Sequence, residues 1–454
     1  MRDFPPPVRQ PPPPAGHRRR DVSLAVGVMG PKLDIVPTLM ANKEARNSKV
    51  SSTTNYLESL PEELESEILL HLGAEDIFKA AMVVCRKWYR MIHTHNFIYS
   101  HLQNSTPGIL IKYSAHRSYP VFVSMVKGKI EISKIDYEYR CRCWSSCNGL
   151  TLEYHPATSS AFCILNPVTK QLFELPPFGD FDLAYCACSG IAYAAASMEY
   201  KVVCISGHPD QRTSTPAAML GCAILTVGVD KSWRRVDVQH LSLEAKELFK
   251  NTPLTTEGFL HWTSRQIGMR RMLTLNVETE IITETRVPRG GFNNRKGKES
   301  RYYLSNGRSL SVVIACSEFS WDVWELKKPK IGEWVKTIRI DLEGQKSKFE
   351  NLRHKYPRPL IIEPVAWLNY DEGLLVRVLH PDNFASEDCF VYNVGKQEIE
   401  VLDLTEYYIC TRFLVHKNSL VWLDTDTIWS RQPDRRPTPI RLQRSTPALF
   451  TCTI

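Results

Sequence analysis

Apolar residues follow a helical period in one stretch of the chain, from Tyr56 to Leu102. Leucine and isoleucine residues recur there and predict a first helix with one apolar face: Leu64, Ile68, Leu69 and Leu72. A second stripe predicts another helix directly after it: Ile77, Ala81, Val84, Trp88 and Met91. A unit this small is marginal as an independent core, so a partner or a neighbouring domain is expected to cover part of it.

Residues near both ends of the first helix carry their own signals. Ser59 and Glu62 have the spacing of a capping box, which places Pro61 in the first turn, where its missing N–H costs nothing. Gly73 stands where a residue with positive φ is favoured at the end of a helix. The first helix is therefore expected to begin near Pro61 and to end at Gly73.

After Leu102 the pattern changes from helical to strand-like. Short runs rich in Val, Ile, Tyr, Phe and Trp alternate with Gly, Asn, Asp and Pro, which is typical of an antiparallel β protein. The first runs are Ile109–Ile111, Val121–Val123 and Lys129–Ile132. The sequence thus predicts a small all-α domain followed by a large all-β domain.

Two short sequence motifs, here called phrases, recur along the β region. A turn with Gly or Asn before an apolar strand is found in segments that begin at Cys147, Ser189, Glu257, Asn306, Glu372 and Lys417. A strand that ends in Asn and a turn is found at Asn166, Asn276 and Asn393, and two turns precede Trp233 and Trp334. Repeats of about 50 residues, each with a few strands, fit blades of a β-propeller of kelch-like size. A pair of β-sandwiches with chance similarity is the alternative.

The positive charge is concentrated at the N-terminus. Residues 1–50 hold nine Lys/Arg and four Asp/Glu, and so carry +5 of the net charge of +8. A basic nucleic-acid-binding face on the folded part is therefore not expected. The polyproline runs and Arg18–Arg20 in this segment indicate a disordered tail.

The thirteen cysteines do not indicate disulfides or a metal site. The N-terminus has no apolar segment typical of a signal peptide, so reduced thiols in the cytoplasm and/or nucleus are expected. Cys141 and Cys143 would place both thiols on one face of a strand, which favours buried packing over ligation. The least polar stretch, Leu183 to Met198, is shorter than the ~20 residues of a spanning helix.

Motifs for catalysis do not stand out. Gly291 to Lys298 departs from a phosphate-binding loop in its spacing, and Glu299 replaces the expected Ser or Thr. No Gly-x-Ser-x-Gly segment occurs in the sequence. Neither catalytic residues nor a cofactor is expected.

The helical region resembles an F-box. The residues that carry the resemblance are Leu60-Pro61-x-Glu63-Leu64-x-x-Glu67-Ile68-Leu69-x-x-Leu72 and then Val84-Cys85-Arg86-x-Trp88, with departures at Ala74 and Ala80 to Met82. The resemblance implies docking on a Skp-type adaptor of a cullin-based ubiquitin ligase. The adaptor-binding positions that it implies are Leu60, Pro61, Ile68, Leu72 and Ile77. A packing role inside the F-box is implied for Leu64, Val84 and Trp88.

The β region resembles the F-box-associated interaction domain of plant F-box proteins. The segments CNGLTLEY, EGFLHW and VWELKKPKIGEWVKTIRID carry this resemblance, whereas the double Gly of true kelch repeats occurs only at Gly290-Gly291. It implies a non-catalytic substrate-recognition subunit of a Skp–cullin–F-box ligase, whose partners are the adaptor and an unknown target protein. Nucleic acid and membrane are not expected as partners. A ligand receptor with its site in the central funnel, an adaptor-bound scaffold without a degradation target, and an enzyme on a propeller remain alternatives.

The expected domains are residues 1–50 as a disordered Pro/Arg-rich tail, 54–102 as the F-box, 105–430 as the β domain and 431–454 as a basic C-terminal tail. Within the β domain, Arg289 to Arg301 is a basic, Gly-rich insert. One interpretation makes it a contact for an acidic target, with Phe292 as an apolar anchor and Arg295, Lys296 and Lys298 steering association. A tolerated surface insertion is the alternative.

Overall fold

The computed structural model describes most of the chain between Leu60 and Leu423. The described residues are 60–113, 119–137, 142–154, 162–177, 186–207, 220–266, 269–289, 300–355, 361–379, 387–404 and 410–423. Apart from Leu60, they belong to one compact unit that begins at Pro61. The predicted terminal tails, residues 1–50 and 431–454, lie outside the described residues.

Short helices fill the first part of this unit. They are α1 (Glu62–Leu70), α2 (Ala74–Lys79), a 3-10 turn (Ala81–Val83), α3 (Arg86–Ile92) and α4 (His95–Asn104). The helix α1 begins after Pro61, which is its N-cap and makes no side-chain cap hydrogen bond. Its first turn carries Glu62, Glu63 and Glu65, and these carboxylates favour the positive end of the helix dipole.

The end of α1 differs from the sequence-based expectation. The helix already ends at Leu70, and His71 is its C-cap. Gly73 has a φ of −63° and serves as the N-cap of α2. The prediction of a positive φ at Gly73 is therefore wrong, because this glycine starts the next helix.

The predicted second helix is in fact three short helical pieces. Cys85 adopts an extended conformation, and its Sγ accepts a hydrogen bond from the Trp88 backbone N–H at 3.4 Å. This interrupts the helix and starts α3. Thr94 starts α4 in the same way, because its Oγ1 accepts a hydrogen bond from the Phe97 N–H at 3.2 Å. The periodic stripe from Ile77 to Met91 is therefore not one helix face.

The rest of the unit is a six-bladed β-propeller, in which each described blade is a sheet of four antiparallel strands. Blades 1 to 3 are β24 (Cys410–His416), β1 (Gly108–Tyr113), β2 (Val121–Val126) and β3 (Lys129–Lys134); β4 (Arg142–Cys147), β5 (Leu150–Tyr154), β6 (Phe162–Asn166) and β7 (Gln171–Glu174); and β8 (Cys186–Ala194), β9 (Glu199–Gly207), β10 (Leu220–Thr226) and β11 (Arg234–Val236). Blades 4 to 6 are β12 (Leu254–Thr256), β13 (Phe259–Trp262), β14 (Arg271–Asn276) and β15 (Ile281–Arg286); β16 (Arg301–Ser305), β17 (Leu310–Ala315), β18 (Ser320–Lys328) and β19 (Glu333–Asp341); and β20 (Ile361–Leu368), β21 (Gly373–Leu379), β22 (Glu387–Asn393) and β23 (Glu398–Leu402).

The last strand closes the ring. β24 pairs antiparallel with β1 in the register Ile109↔Val415 and Ile111↔Phe413, so blade 1 is built from both ends of the domain. The first strands of successive blades lie side by side around the axis. This architecture confirms the predicted propeller over the sandwich alternative.

Helical segments also connect the blades. Between blades 3 and 4 lie α5 (Leu243–Lys246) and a 3-10 turn (Glu247–Lys250), and between blades 5 and 6 lie a 3-10 turn (Glu343–Gln345) and α6 (Lys346–Lys355). Phe349 of α6 is fully buried against Phe319 and Phe390. The segment after Asp341 therefore contributes to the core through Leu342 and Phe349.

Four of the six recurring Gly or Asn phrases mark the first hairpin of a blade. Gly149, Gly258 and Gly307 lie in these turns with φ values of 83°, 73° and 88°, a region that glycine enters without strain. Gly373 lies at the fourth turn for another reason, because a Cβ there would approach the Met125 Cε to 2.6 Å. The other two phrases differ: Gly190 lies within β8, and Lys417 follows β24.

The second phrase marks the last hairpin of blades 2, 4 and 6. Its Asn residue accepts backbone N–H groups with its own Oδ1, as Asn166 does from Val168 at 2.9 Å and Asn276 from Glu278 at 2.9 Å. The residue four positions after each Asn has a positive φ: Lys170 at 57°, Glu280 at 58° and Gln397 at 57°. The repeated sequence phrase therefore encodes one repeated turn geometry.

Candidate functional site

An apolar stripe along α1 faces solvent. Leu64, Ile68 and Leu72 are 52%, 47% and 38% exposed, and Pro61 is exposed at the start of the same face. Leu69, which lies about 100° around the helix from Ile68, is fully buried. We call Pro61, Leu64, Ile68 and Leu72 the docking stripe. Such a contiguous apolar surface is typical of a contact with another protein.

The structure separates the predicted adaptor-binding residues into two groups. Pro61, Ile68 and Leu72 are exposed, and Leu60 is half-buried. Ile77, in contrast, is fully buried in the core. The assignment of Ile77 to the adaptor contact is therefore wrong, because its side chain stabilises the F-box from inside.

Two of the residues predicted to pack inside the F-box are exposed instead. Leu64 is exposed on the docking stripe, and Val84 is 57% exposed after the 3-10 turn. Both were expected inside the helical domain, but α1 turns its Leu69 face inward, and the interruption before Cys85 leaves Val84 outside. Trp88 is partly buried and packs against the core. Val83, which the sequence reasoning did not single out, is 62% exposed.

Polar contacts hold the helices that carry the docking stripe. The Lys87 ammonium donates to the Glu65 carboxylate at 2.8 Å and joins α3 to α1. This hydrogen bond raises the pKa of Lys87. The buried His101 of α4 donates from Nε2 to the Leu72 carbonyl oxygen at 2.9 Å. Burial lowers the pKa of His101, so the imidazole is held neutral and keeps the end of the stripe in place.

The F-box helices share their core with the propeller. Leu69, Ile77 and Ile92 belong to the same buried cluster as Leu150 of blade 2 and Trp233 of blade 3. The residues that follow β24 enter this cluster as well, through Leu420, Val421 and Leu423. The small helical unit therefore obtains from the propeller the buried area that it cannot supply alone.

Hydrogen bonds connect the first strands of blades 2, 3 and 4. The Ser145 Oγ of β4 lies 2.9 Å from the Thr255 Oγ1 of β12, which belongs to a blade that is not its neighbour. Ser145 Oγ also accepts the Ile191 N–H at 3.2 Å, and Thr255 Oγ1 donates to the Ile191 carbonyl oxygen at 3.1 Å. Direct hydrogen bonds therefore hold the first strands of these three blades together.

The candidate target contacts cannot be placed. Phe292, Arg295, Lys296 and Lys298 lie outside the described residues. The insert that contains them connects Arg286, at the end of β15, to Arg301, at the start of β16.

Several buried titratable groups in the described part of the propeller are held in their neutral form by burial. The His261 imidazole is fully buried between the hydroxyls of Thr256 and Thr274, at 2.9 and 3.0 Å, and burial lowers its pKa to about 3. Burial raises the pKa of the Cys147 and Cys222 thiols to about 12, which keeps them protonated. The described residues contain no His, Cys, Asp and Glu group suited to a metal ion. Nor does the described part include a helix with the length and apolarity to cross a membrane.

Sequence comparison identifies both domains. Residues 57–104 match the family described as F-box-like, and residues 97–356 match the F-box associated beta propeller domain. The second match covers more than half of the chain, so this chain belongs to the family of F-box proteins with an F-box-associated β-propeller. The matched residues end at α6, although the structure continues through blade 6 to the closing strand.

Individual relatives are plant F-box proteins. The chain is 24% identical to the F-box protein At3g07870 of Arabidopsis thaliana over 71% of its own length and 80% of the relative. It is 30% identical to the Putative F-box only protein 15 of the same plant, over 40% of this chain and 48% of that protein. The β-propeller domain of the Trilobed protease from Pyrococcus furiosus overlaps with a TM-score of 0.27 and 9% identity, over 66% of this chain and 71% of that one.

Membership of this family supports a general role as a substrate receptor in Skp–cullin–F-box ligases. Proteins of the family are generally non-catalytic, and their F-box generally implies a Skp-type adaptor.

Proposed function

We propose that the docking stripe of this chain binds a Skp-type adaptor and that its propeller holds a target protein for ubiquitination. The propeller supplies no reaction chemistry in this proposal. The chain acts by proximity, because it raises the local concentration of target lysines near the charged ubiquitin carrier.

The exposure of the docking stripe is the observation that carries the proposal. Of the nineteen large hydrophobic residues that are exposed in the described part of the chain, seven lie in the F-box: Leu64, Ile68, Leu72, Val83, Val84, Tyr89 and Tyr99. A helical domain that keeps so much apolar surface in water gains free energy when a partner covers it. The sequence resemblance and the surface therefore support the same partner.

The alternatives have less support from the structure. A ligand in a central funnel has less support, because the Ser145–Thr255 hydrogen bond directly joins the first strands of two blades that are not neighbours. Nucleic acid is disfavoured because most of the net positive charge lies in residues 1–50. A scaffold without a degradation target shares the docking stripe and differs only in the fate of the bound protein.

Adaptor binding can be tested with the full chain and a purified plant Skp-type adaptor. The variant Leu64→Glu with Ile68→Glu places two charges on the stripe, and we expect the affinity to fall at least ~100-fold, or about 2.7 kcal/mol. The matched control, Val335→Glu with Val401→Glu, changes two exposed valines of the propeller that are 42% and 67% exposed. Calorimetric titration of both variants against the wild type gives the comparison.

The control should bind the adaptor like the wild type, because its substitutions lie on β19 and β23. If the stripe variant also binds like the wild type, the adaptor does not use this surface and the proposal is wrong. Thermal melting of both variants shows whether the fold is retained, as expected for substitutions at exposed positions.

The role of the propeller needs a second experiment. Affinity capture with the stripe variant should enrich a target that the ligase can no longer remove. Adding that target to a reconstituted ligase with the wild-type chain should then produce ubiquitin chains on it. A captured protein that remains unmodified under these conditions would instead support the scaffold alternative.

A further inference from the structure

The residues after the closing strand form a strap between the two domains. The strap, Lys417–Leu423, follows β24 and carries three apolar residues that are less than one-tenth exposed, Leu420, Val421 and Leu423, beside the fully buried Ser419. The apolar pattern of this segment predicts a further repeated strand. The structure shows instead a segment that is held by the side chains of blade 2.

The hydrogen bonds of the strap to blade 2 replace a strand ladder. The Asn166 Nδ2 donates to the carbonyl oxygens of Ser419 at 3.0 Å and Val421 at 2.6 Å. The Gln171 side chain accepts the Leu423 N–H at 3.0 Å and donates to the Leu423 carbonyl oxygen at 2.6 Å. Two side-chain amides thus satisfy the buried backbone of the strap, which would otherwise lose hydrogen bonds on burial.

The other side of the strap contacts the F-box. Trp422 packs on the His93 imidazole, at the end of α3, with ring centroids 4.5 Å apart and planes inclined by 35°. Burial lowers the pKa of His93, so the ring stays neutral against the indole. The buried strap residues share a cluster with Leu69 and Ile92 of the F-box.

The covalent connection between the domains lies at a different place. The helix α4 ends at Asn104 and β1 begins at Gly108, so a three-residue segment, 105–107, joins them. The F-box helices and the propeller also meet in a shared buried cluster, which includes Leu69, Ile92 and Leu150. The strap enters the same cluster and adds hydrogen bonds to blade 2 and a ring contact to His93. It is therefore a second chain connection beside the linker, and it opposes rotation of the F-box about that linker.

We propose that the strap is a positioning element, which fixes the orientation of the F-box relative to the propeller. This inference rests on the proposed function in one respect: the fixed orientation would hold a bound target at a constant distance from the ligase. The strap acts through the helices it supports, because its F-box contacts are at His93 and in the cluster of Leu69 and Ile92, whereas the docking stripe is exposed.

The orientation can be measured directly in the full chain without any partner. Spin labels at Glu63 of α1 and Lys330 after β18, two exposed positions, report the distance between the domains. They are introduced as unnatural amino acids, because the described residues include free cysteines. Pulsed EPR of the wild type should give one narrow distance distribution.

The test variant combines Gln171→Ala with Trp422→Ala, which removes one strap contact on each side. We expect the distance distribution to widen about twofold, because a weakly attached element samples local openings. The variant Gln171→Ala with Trp422→Phe keeps an aromatic ring against His93. Its distance distribution should therefore be narrower than that of the double alanine variant.

A matched control is available on blade 6. Gln171 pairs with Asn166 on blade 2, and Glu398 pairs with Asn393 at the equivalent position of blade 6. Glu398 is exposed. Glu398→Ala should leave the distribution unchanged. An unchanged distribution in the strap variant, or equal widening in the control, would overturn the proposal.

A second pair of variants tests the strap by shortening the chain. A chain that ends after His416 lacks the strap, whereas a chain that ends after Leu423 keeps it. We expect a wide distribution for the first and a narrow one for the second. The first chain should also melt at a lower temperature, because it loses the buried side chains of Leu420, Val421 and Leu423. Narrow distributions in both chains would contradict the proposal.

Adaptor titration of the strap variant separates this inference from the proposed function. The affinity should stay within about threefold of the wild type, because the docking stripe is unchanged. Failure of the wild type to bind any adaptor would refute the proposed function and leave the distance result intact. Loss of adaptor binding in the strap variant alone would show that the strap shapes the docking stripe, contrary to the proposal.

Discussion

The Trp233 indole N–H donates a hydrogen bond to the Pro176 carbonyl oxygen at 3.0 Å and joins blade 3 to blade 2. Trp334 makes the equivalent bond to the Arg286 carbonyl oxygen at 3.2 Å and joins blade 5 to blade 4. In both cases an indole near the start of a last strand meets the residues at the end of the preceding blade. The similar sequence contexts of the two tryptophans therefore mark similar junctions.

Replacing these indoles tests the junctions. Trp233→Phe and Trp334→Phe keep an aromatic ring but lose the N–H donor, and each should lower the free energy of unfolding by about 1 kcal/mol. Trp324→Phe is the control, because Trp324 is a partly buried tryptophan that packs against the same cluster as Trp334. Urea unfolding of the three variants compares them. Equal losses in all three would show that ring size, not the hydrogen bond, matters.

Ile77 and Ile68 should respond in opposite ways to the same substitution. Ile77→Ala removes a fully buried side chain and should cost about 2–5 kcal/mol of stability. Ile68→Ala changes a residue that is 47% exposed, so stability should change little while adaptor affinity falls. Thermal melting and adaptor titration of both variants measure the two effects. A stable Ile77→Ala variant with reduced affinity would return Ile77 to the adaptor contact.

The Glu280 carboxylate should stabilise the junction between blades 3 and 4. It accepts two hydrogen bonds from Arg234, at 2.7 and 2.8 Å, and one from Lys201 at 2.9 Å. The hydrogen bonds from Arg234 lower the pKa of Glu280 most, and the hydrogen bond from Lys201 lowers it further, to about 2. Glu280→Gln leaves the nearly buried Lys201 ammonium without its counter-charge, so a loss of about 1–3 kcal/mol is expected.

The exposed pair between Lys328 and Glu333 provides the control for Glu280. Its side chains are 63% and 43% exposed, and Glu333→Gln should cost no more than about 0.5 kcal/mol. The stabilisation from Glu280 should be complete above the unfolded pKa of a glutamate and should decline as the pH falls through that range toward 2. Urea unfolding at several pH values measures both effects, and equal losses in the two variants would argue against the junction role.

Two buried histidines should make the propeller sensitive to acid. Burial lowers the pKa of both His261 and His416 to about 3, from an ordinary value of 6.5. The unfolded chain therefore takes up protons below pH 6.5 while the folded chain does not, so stability falls as the pH falls from 6.5 toward 3. Between pH 7 and pH 5 each histidine should remove about 2 kcal/mol.

Substitution isolates these contributions. His261→Gln and His416→Gln should each reduce the difference in unfolding free energy between pH 7 and pH 5, and the double variant should reduce it about twice as much. Urea unfolding at the two pH values measures this difference. If the difference is the same in the wild type and the double variant, the acid sensitivity arises from other residues.

The propeller could be predicted because its turns are local. Asn166 and Asn276 cap their own turns, and Gly149 supplies a positive φ within a two-residue hairpin. These signals depend on residues that are close in sequence, so they survive as recurring phrases. The number of blades was not predicted, because Gly190 lies inside a strand although its phrase resembles the turn phrases.

The exposure of individual F-box residues could not be predicted in the same way. Periodicity grouped Leu64, Ile68 and Leu69 on one face, but only contacts with the rest of the chain decide that Leu69 turns inward. The fate of Ile77 depends equally on the shared core with the propeller. The strap was missed for the same reason, since its partners Asn166 and Gln171 are distant in sequence.

The closing strand has a consequence for synthesis on the ribosome. β24 is the last of the described strands to be made, yet it completes the blade that begins with β1. At about 5–20 residues per second, β1 waits roughly 15–60 s for its partner, with an open strand edge. The F-box meanwhile has already left the ribosome without the strap that covers its core. Any premature stop before Cys410 would therefore remove ring closure as a whole rather than one blade, and even late truncations should behave as complete losses.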